Sequence, residues 1–211
     1  VTTTLEESGP ALPESLPDRY GLFRRPPGVL FHGALVATGL VVLWAFSFPG
    51  IHFLAVVPCI WVVGIAAVTW LVRGVTYLRS RRRAAHSGTA LLFAIAPAGA
   101  LVLALVLHAN FPLRARWQSS KSDFQNAVEE VRAEPANWAS WKPRRIGTYT
   151  ITSVRIVDEG VIFYDEVGAL SDDAGFAYLP HGPSTKMANA SFENPQWLAL
   201  GDHWYAWTAS W

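Results

Sequence analysis

FLAVVPCIWVVGIAAVTWLV, residues 53–72, carries no charged side chain over twenty residues. A helix rises about 1.5 Å per residue, so this run reaches about 30 Å, the thickness of a bilayer's hydrocarbon core. Two similar runs flank it, VLFHGALVATGLVVLWAFSF at 29–48 and TALLFAIAPAGALVLALVLH at 89–108. In lipid a chain must satisfy its own backbone hydrogen bonds, which favours helices. Pro58 and Pro97 are tolerated there and bend their helices. A core helix of a soluble protein rarely stays apolar on every face for so long, and three such runs in succession predict three transmembrane helices. The first run follows a 28-residue head and lacks a small-residue cleavage site, which argues against a cleaved signal.

Charge divides the chain in the same way. No Asp or Glu occurs between Arg19 and Ser122, and all the acids lie before or after that block. Basic residues then set the orientation. Arg19, Arg24 and Arg25 precede the first run, and Arg73, Arg79, Arg81, Arg82 and Arg83 follow the second. Arg114 and Arg116, with Lys121 a little further on, come after the third, while the PGIH loop at 49–52 has no Lys or Arg. The expected topology is multi-pass in the plasma membrane, with the N-terminus cytoplasmic and the C-terminal domain outside. Arg24, Arg25, Arg79, Arg81, Arg82 and Arg83 serve as topology anchors, and the RSRRR run at 79–83 also attracts anionic headgroups. The Arg-rich composition reads as bacterial.

Residues 1–28, rich in Pro, Gly, Ser and acids, read as a disordered cytoplasmic tail. The three-helix region covers 29–108, and an extracytoplasmic α+β domain covers 109–211. In that domain 120–135 has helical spacing, with Phe124, Ala127, Val128 and Val131 on one face. Asn126, Glu129 and Glu130 point outward, Ser122 caps the start and Pro135 helps stop the helix. A hairpin follows, with strands near 148–157 and 161–165 and a DEG turn at 158–160. Val157 is expected opposite Val161, Ile156 opposite Ile162 and Val154 opposite Tyr164, with Arg155 and Phe163 on a mixed face. Turns are expected at Asp172–Gly175, Pro180–Pro183 and 191–196, with a short strand at GFAYLP. A second hairpin turns at Gly201–Asp202. The expected fold is one helix on an antiparallel sheet of about four strands.

Motifs for chemistry are scarce. The acidic pairs 129/130, 158/159, 165/166 and 172/173 read as solvated loop or strand acids rather than an acid–base pair. DEVGALSDD lacks calcium-loop spacing. Six histidines are present, none spaced as HxH or HxxxH, so no metal site is expected. The single Cys59 lies in an apolar run and behaves as a small hydrophobe. No nucleophile turn, Walker sequence or dinucleotide glycine pattern occurs, so no catalytic residue and no cofactor is assigned. The net charge of +1 and the lack of a dense basic stripe outside one loop argue against nucleic-acid binding. Asn189–Ala190–Ser191 fits a glycan acceptor, relevant only in a eukaryotic secretory pathway.

The aromatic end, HWYAWTASW at 203–211, alternates: His203, Tyr205, Trp207, Ala209 and Trp211 point one way, and Trp204, Ala206, Thr208 and Ser210 the other. Pairing Leu200 with His203 and Leu198 with Tyr205 gathers Leu198, Leu200, Tyr205 and Trp207 into the core. It sets Trp197 beside Trp204 on the opposite face. Trp197, Trp204, His203, Tyr205 and Trp207 form the candidate ligand or partner surface. The expected function is a non-enzymatic accessory, scaffold or sensor subunit of a cell-envelope membrane assembly, with the lipid bilayer and a membrane protein as partners. The alternative is a membrane-anchored enzyme or binding protein acting on envelope glycan or lipid through the aromatic-rich domain.

Overall fold

The computed structural model describes residues 28–81, 90–134, 141–157, 160–167, 172–184 and 193–210. The expected tail, Arg24, Arg25, Arg82, Arg83, Pro135, the glycan acceptor and Trp211 lie outside them. Four helices, α1 (Val29–Ala45), α2 (Phe53–Arg81), α3 (Ala90–His108) and α4 (Phe111–Ala133), precede six strands. These are β1 (Arg144–Ile146), β2 (Tyr149–Val157), β3 (Gly160–Asp165), β4 (Asp172–Tyr178), β5 (Glu193–Gly201) and β6 (Trp204–Ser210). They form one antiparallel sheet in the order β1-β2-β3-β4-β6-β5.

Among the described residues one helix, over Phe53–Arg79, is long and apolar enough to cross a membrane, and only 6% of its apolar window is buried inside the protein. That suggests membrane association. The helix runs on through Arg73–Arg81, where a loop was expected, because nothing in RGVTYLRSR breaks a helix. α1 is shorter than its apolar run, since the chain turns after Ala45. Phe93–His108 and Phe111–Ala133 are apolar enough when taken together, but they meet at a 49° bend. At that corner Asn110 adopts a left-handed backbone, φ 52°, a conformation asparagine tolerates better than most residues. Trp70 Nε1 donates to Phe93 O at 3.0 Å and ties α2 to α3.

α4 begins at Phe111, nine residues before the expected start, so Ser122 is mid-helix and not a cap. Pro112 favours a first turn, and Leu113 and Trp117 extend the same stripe as Phe124, Ala127, Val128 and Val131. All six are buried. Asn126, Glu129 and Glu130 are exposed, and Glu130 takes two hydrogen bonds from Arg144. The stripe lies on an aromatic core. Trp117 stacks on Phe176 at 4.8 Å between ring centroids and meets Trp204 at 4.9 Å. Phe124 meets Phe163 edge-on at 5.3 Å.

Both expected hairpin registers are corrected. Val157 pairs with Gly160, so two residues rather than three close the first hairpin. Ile156 then faces Val161 and Val154 faces Phe163. A one-residue slip exchanges sheet faces, which moves Phe163 from the mixed face into the core. The second hairpin turns at Asp202–His203, both left-handed (φ 50° and 66°), rather than at Gly201–Asp202. Gly201 pairs with Trp204, but a bulge at Leu200 leaves Ala199 opposite Tyr205 and Leu198 opposite Ala206. Among the described residues the sheet has six strands rather than about four. Asp172–Gly175 and Glu193–Gln196, expected as turns, belong to β4 and β5, and the short Arg144–Ile146 strand is additional. Gly175 is required by close approach, because a Cβ there would lie 1.9 Å from Phe163 O.

Candidate functional site

Three segments meet at Arg116. It projects from α4 toward the α1–α2 loop (46–52) and the β1–β2 turn. Its guanidinium carbon lies 3.9 Å from the Phe48 ring centroid and 4.5 Å from that of Tyr149, within cation–π range. Nε donates to Thr148 Oγ1 at 3.0 Å, Nη2 to the Thr148 carbonyl, and Nη1 to Ser47 Oγ at 3.0 Å. The buried Tyr149 hydroxyl donates to Ser47 O at 3.1 Å. Ser120, one turn beyond Arg116 and fully buried, accepts from the Thr148 amide at 3.1 Å and shares a 2.9 Å bond with Thr148 Oγ1. The turn can sit this close because residue 147 is glycine. Its φ is +56°, and a Cβ would lie 2.5 Å from Ser120 Cβ. Burial lowers the Arg116 pKa, countered by Tyr149 and Asp165. The group stays a cation at any ordinary pH.

Asp165 ends β3 on the same sheet face as Val161 and Phe163. It is 6% exposed, and both carboxylate oxygens are buried. The Glu166 amide is committed to Thr150 O at 2.8 Å. Burial pushes the Asp165 pKa up to about 7, against the opposing pull of the Val167 amide, the Arg116 charge and the Glu166 amide. Burial likewise raises the Tyr149 pKa, with Asp165 adding to the rise and Arg116 opposing it. A buried carboxylate, a half-buried arginine and a buried phenol therefore act on one another electrostatically.

A cavity of about 240 Å³ lies near this cluster, between the α1–α2 loop, the α3–α4 corner and the β5–β6 edge. Phe48, Leu107 and Trp197 contribute apolar walls, and Asn110, Gln196 and Thr208 contribute neutral polar groups. A second cavity, about 300 Å³ and almost wholly apolar, lies among α1, α2 and α3 beside Phe31, Trp70 and Pro97.

The five aromatic-end residues do not share one surface. Trp204 is buried under α4 with Trp117, Phe124 and Tyr178. Trp207 is buried on the other face of the sheet with Ile162, Ala177 and Leu179, and its ring meets Tyr164 at 4.9 Å. Trp197 and Tyr205, half-buried, pack edge-on at 6.4 Å on that second face. His203 is exposed in the turn, and its carbonyl accepts from the Leu179 amide at 2.9 Å. The Leu200 bulge thus separates Trp197 from Trp204. It also moves Leu198 and Leu200 to the α4 side, away from Tyr205 and Trp207. Arg79 is exposed at the end of α2. Asp173 lies in a strand rather than a loop, and its pKa is raised by burial.

Sequence reading missed the roles of Arg116 and Asp165. Arg116 reads as a topology charge in a linker, and its role depends on α4 starting at Phe111. Asp165 is detectable by alternation, since Val161 and Phe163 precede it at intervals of two. Among the described residues no three His, Cys, Asp or Glu side chains gather as a metal site. No known protein family, no curated protein and no solved structure matches this chain.

Proposed function

We propose that this chain is a non-enzymatic accessory, scaffold or sensor subunit of a cell-envelope membrane assembly. In this reading three spans, 29–48, 53–72 and 89–108, cross a bacterial plasma membrane. The N-terminus and the arginine-rich loop are cytoplasmic, and the α+β domain is presented outside. The observation that carries the reading is the Arg116 cluster. It fixes the α+β domain to the α1–α2 loop through cation–π contacts and hydrogen bonds to both, as a presenting platform requires. Ile60, Trp61, Ile65 and Val68 support it as well, an outward apolar stripe of α2 suited to lipid or a partner helix. Mild-detergent purification with mass spectrometry tests the reading. A reproducible membrane-protein partner is expected, and a clean monomer without partner would overturn it.

The cavity beside Trp197 favours a second reading, a binder of neutral envelope amphiphiles such as glycolipids. Its lining has aromatic walls for stacking and amide and hydroxyl groups for sugar hydroxyls, with no charged side chain. Thr208→Trp would fill the space. Loss of glycolipid retention on copurification, with partner binding intact, would favour this reading over the first.

A further inference from the structure

The cavity beside Trp197 restricts its occupant in size, charge and chemistry. At about 240 Å³ it falls below the ~300–1,000 Å³ of sites for drug-sized ligands. It holds roughly eight waters at about 30 Å³ each, which is room for one sugar ring and not for two. No lining side chain is charged, so a phosphate or ammonium group inside would stand without a counterion. Arg116, the cation on the Phe48 ring, is already committed to Ser47 and Thr148. Gln196 on β5 and Asn110 at the start of α4 bring primary amides, and Thr208 on β6 brings a hydroxyl. Each both donates and accepts, as a sugar hydroxyl does. Asn110 is the N-cap of α4, but its side chain makes no capping bond, so its amide serves the cavity. Trp197 supplies the aromatic wall for stacking.

The wall from the α1–α2 loop is held in advance. Phe48 carries the Arg116 guanidinium at 3.9 Å and meets Tyr149 edge-on at 6.1 Å. Ile51, also in the lining, keeps a left-handed backbone, φ 53°. A β-branched residue adopts that conformation only where its surroundings impose it. Ile51 and Phe111, which follows Asn110, are 39% and 62% exposed. With Leu107 near the end of α3, they give apolar surface on the helix side of the cavity.

We propose that this cavity binds the single-ring sugar headgroup of a neutral glycolipid, whose acyl chains stay along the helix ends. The proposal rests on the second reading above, with α1 to α3 in a membrane, and narrows its ligand to one class. A free sugar shares the headgroup chemistry, but the apolar surface of Ile51, Leu107 and Phe111 favours the lipid.

Native mass spectrometry of the full-length protein tests this, in a mild detergent without a sugar headgroup. The probes are monoglucosyl diacylglycerol, diglucosyl diacylglycerol, diacylglycerol and phosphatidylglycerol with matched acyl chains, and free methyl glucoside. The one-ring lipid should be retained at least about tenfold over each of the others. Gln196→Ala on the edge strand and Trp197→Leu should each lower its retention by about fivefold to tenfold, with thermal unfolding unchanged. Preference for phosphatidylglycerol would overturn the proposal, as would retention unaffected by both variants. Methyl glucoside binding as well as the lipid would overturn the lipid source. Equal retention of diacylglycerol or the two-ring lipid would overturn the single-ring site while leaving an amphiphile binder. Retention of no neutral lipid would overturn that reading as well.

Discussion

Replacing Asp165 by Asn should stabilise the protein at neutral and alkaline pH and leave it unchanged in acid. Asparagine has the shape of the protonated acid but cannot ionise. Asp165 has its pKa raised by burial from 3.8 to about 7. Below the unfolded value both states hold the proton, and burial of the neutral acid carries no ionisation penalty. Between the two values the unfolded chain releases the proton and the folded protein keeps it, so stability falls with rising pH at about 1.4 kcal/mol per unit. Above the folded value the loss levels off. The interval of about three units gives a loss on the order of 4 kcal/mol. Thermal unfolding of the full chain in detergent, followed by tryptophan fluorescence, is the assay. The wild type and Asp165→Asn should melt together near about pH 4 and diverge up to about pH 8, the variant melting higher. Parallel profiles would refute the reasoning, because Asp165 would then ionise equally well in both states.

Other substitutions probe the remaining architecture. Phe124→Ala removes the ring at the centre of the α4–sheet core and should cost about 3–5 kcal/mol in the same unfolding assay. Gly175→Ala places a methyl where Phe163 O stands and should destabilise the sheet, seen as faster exchange of β3 and β4 amides. Gly147→Ala combines a left-handed backbone with a collision against Ser120, so it should loosen the β1–β2 turn and increase exchange over 46–52. An iodide-quenching comparison should show Trp197→Phe removing more quenchable fluorescence than Trp204→Phe, because Trp204 is 1% exposed and Trp197 lines an open cavity.

The parts of the fold legible in the sequence are those set by local periodicity. The stripe Phe124, Ala127, Val128 and Val131 is the buried face of α4, and the alternation within HWYAWTASW correctly separates Trp204 and Ala206 from Tyr205 and Trp207. Pairing between strands was not legible, since it turns on single residues. One residue fewer in the first hairpin loop moves Phe163 into the core, and the bulge at Leu200 parts Trp197 from Trp204. The Arg116 cluster was hidden for another reason. It joins residues 47, 116 and 148, far apart in sequence, and no local pattern encodes that contact. Its one local trace is Gly147, which must be small and left-handed for the turn to reach Ser120.

The central claim is that the α+β domain stands outside a membrane crossed by the apolar helices. A cysteine in place of the exposed Glu129 on α4, with Cys59→Ala removing the native thiol, tests it in intact cells with a membrane-impermeant maleimide. The account predicts labelling without lysis, blocked by prior treatment with an impermeant thiol reagent. Labelling that appears only after the cells are opened would contradict it.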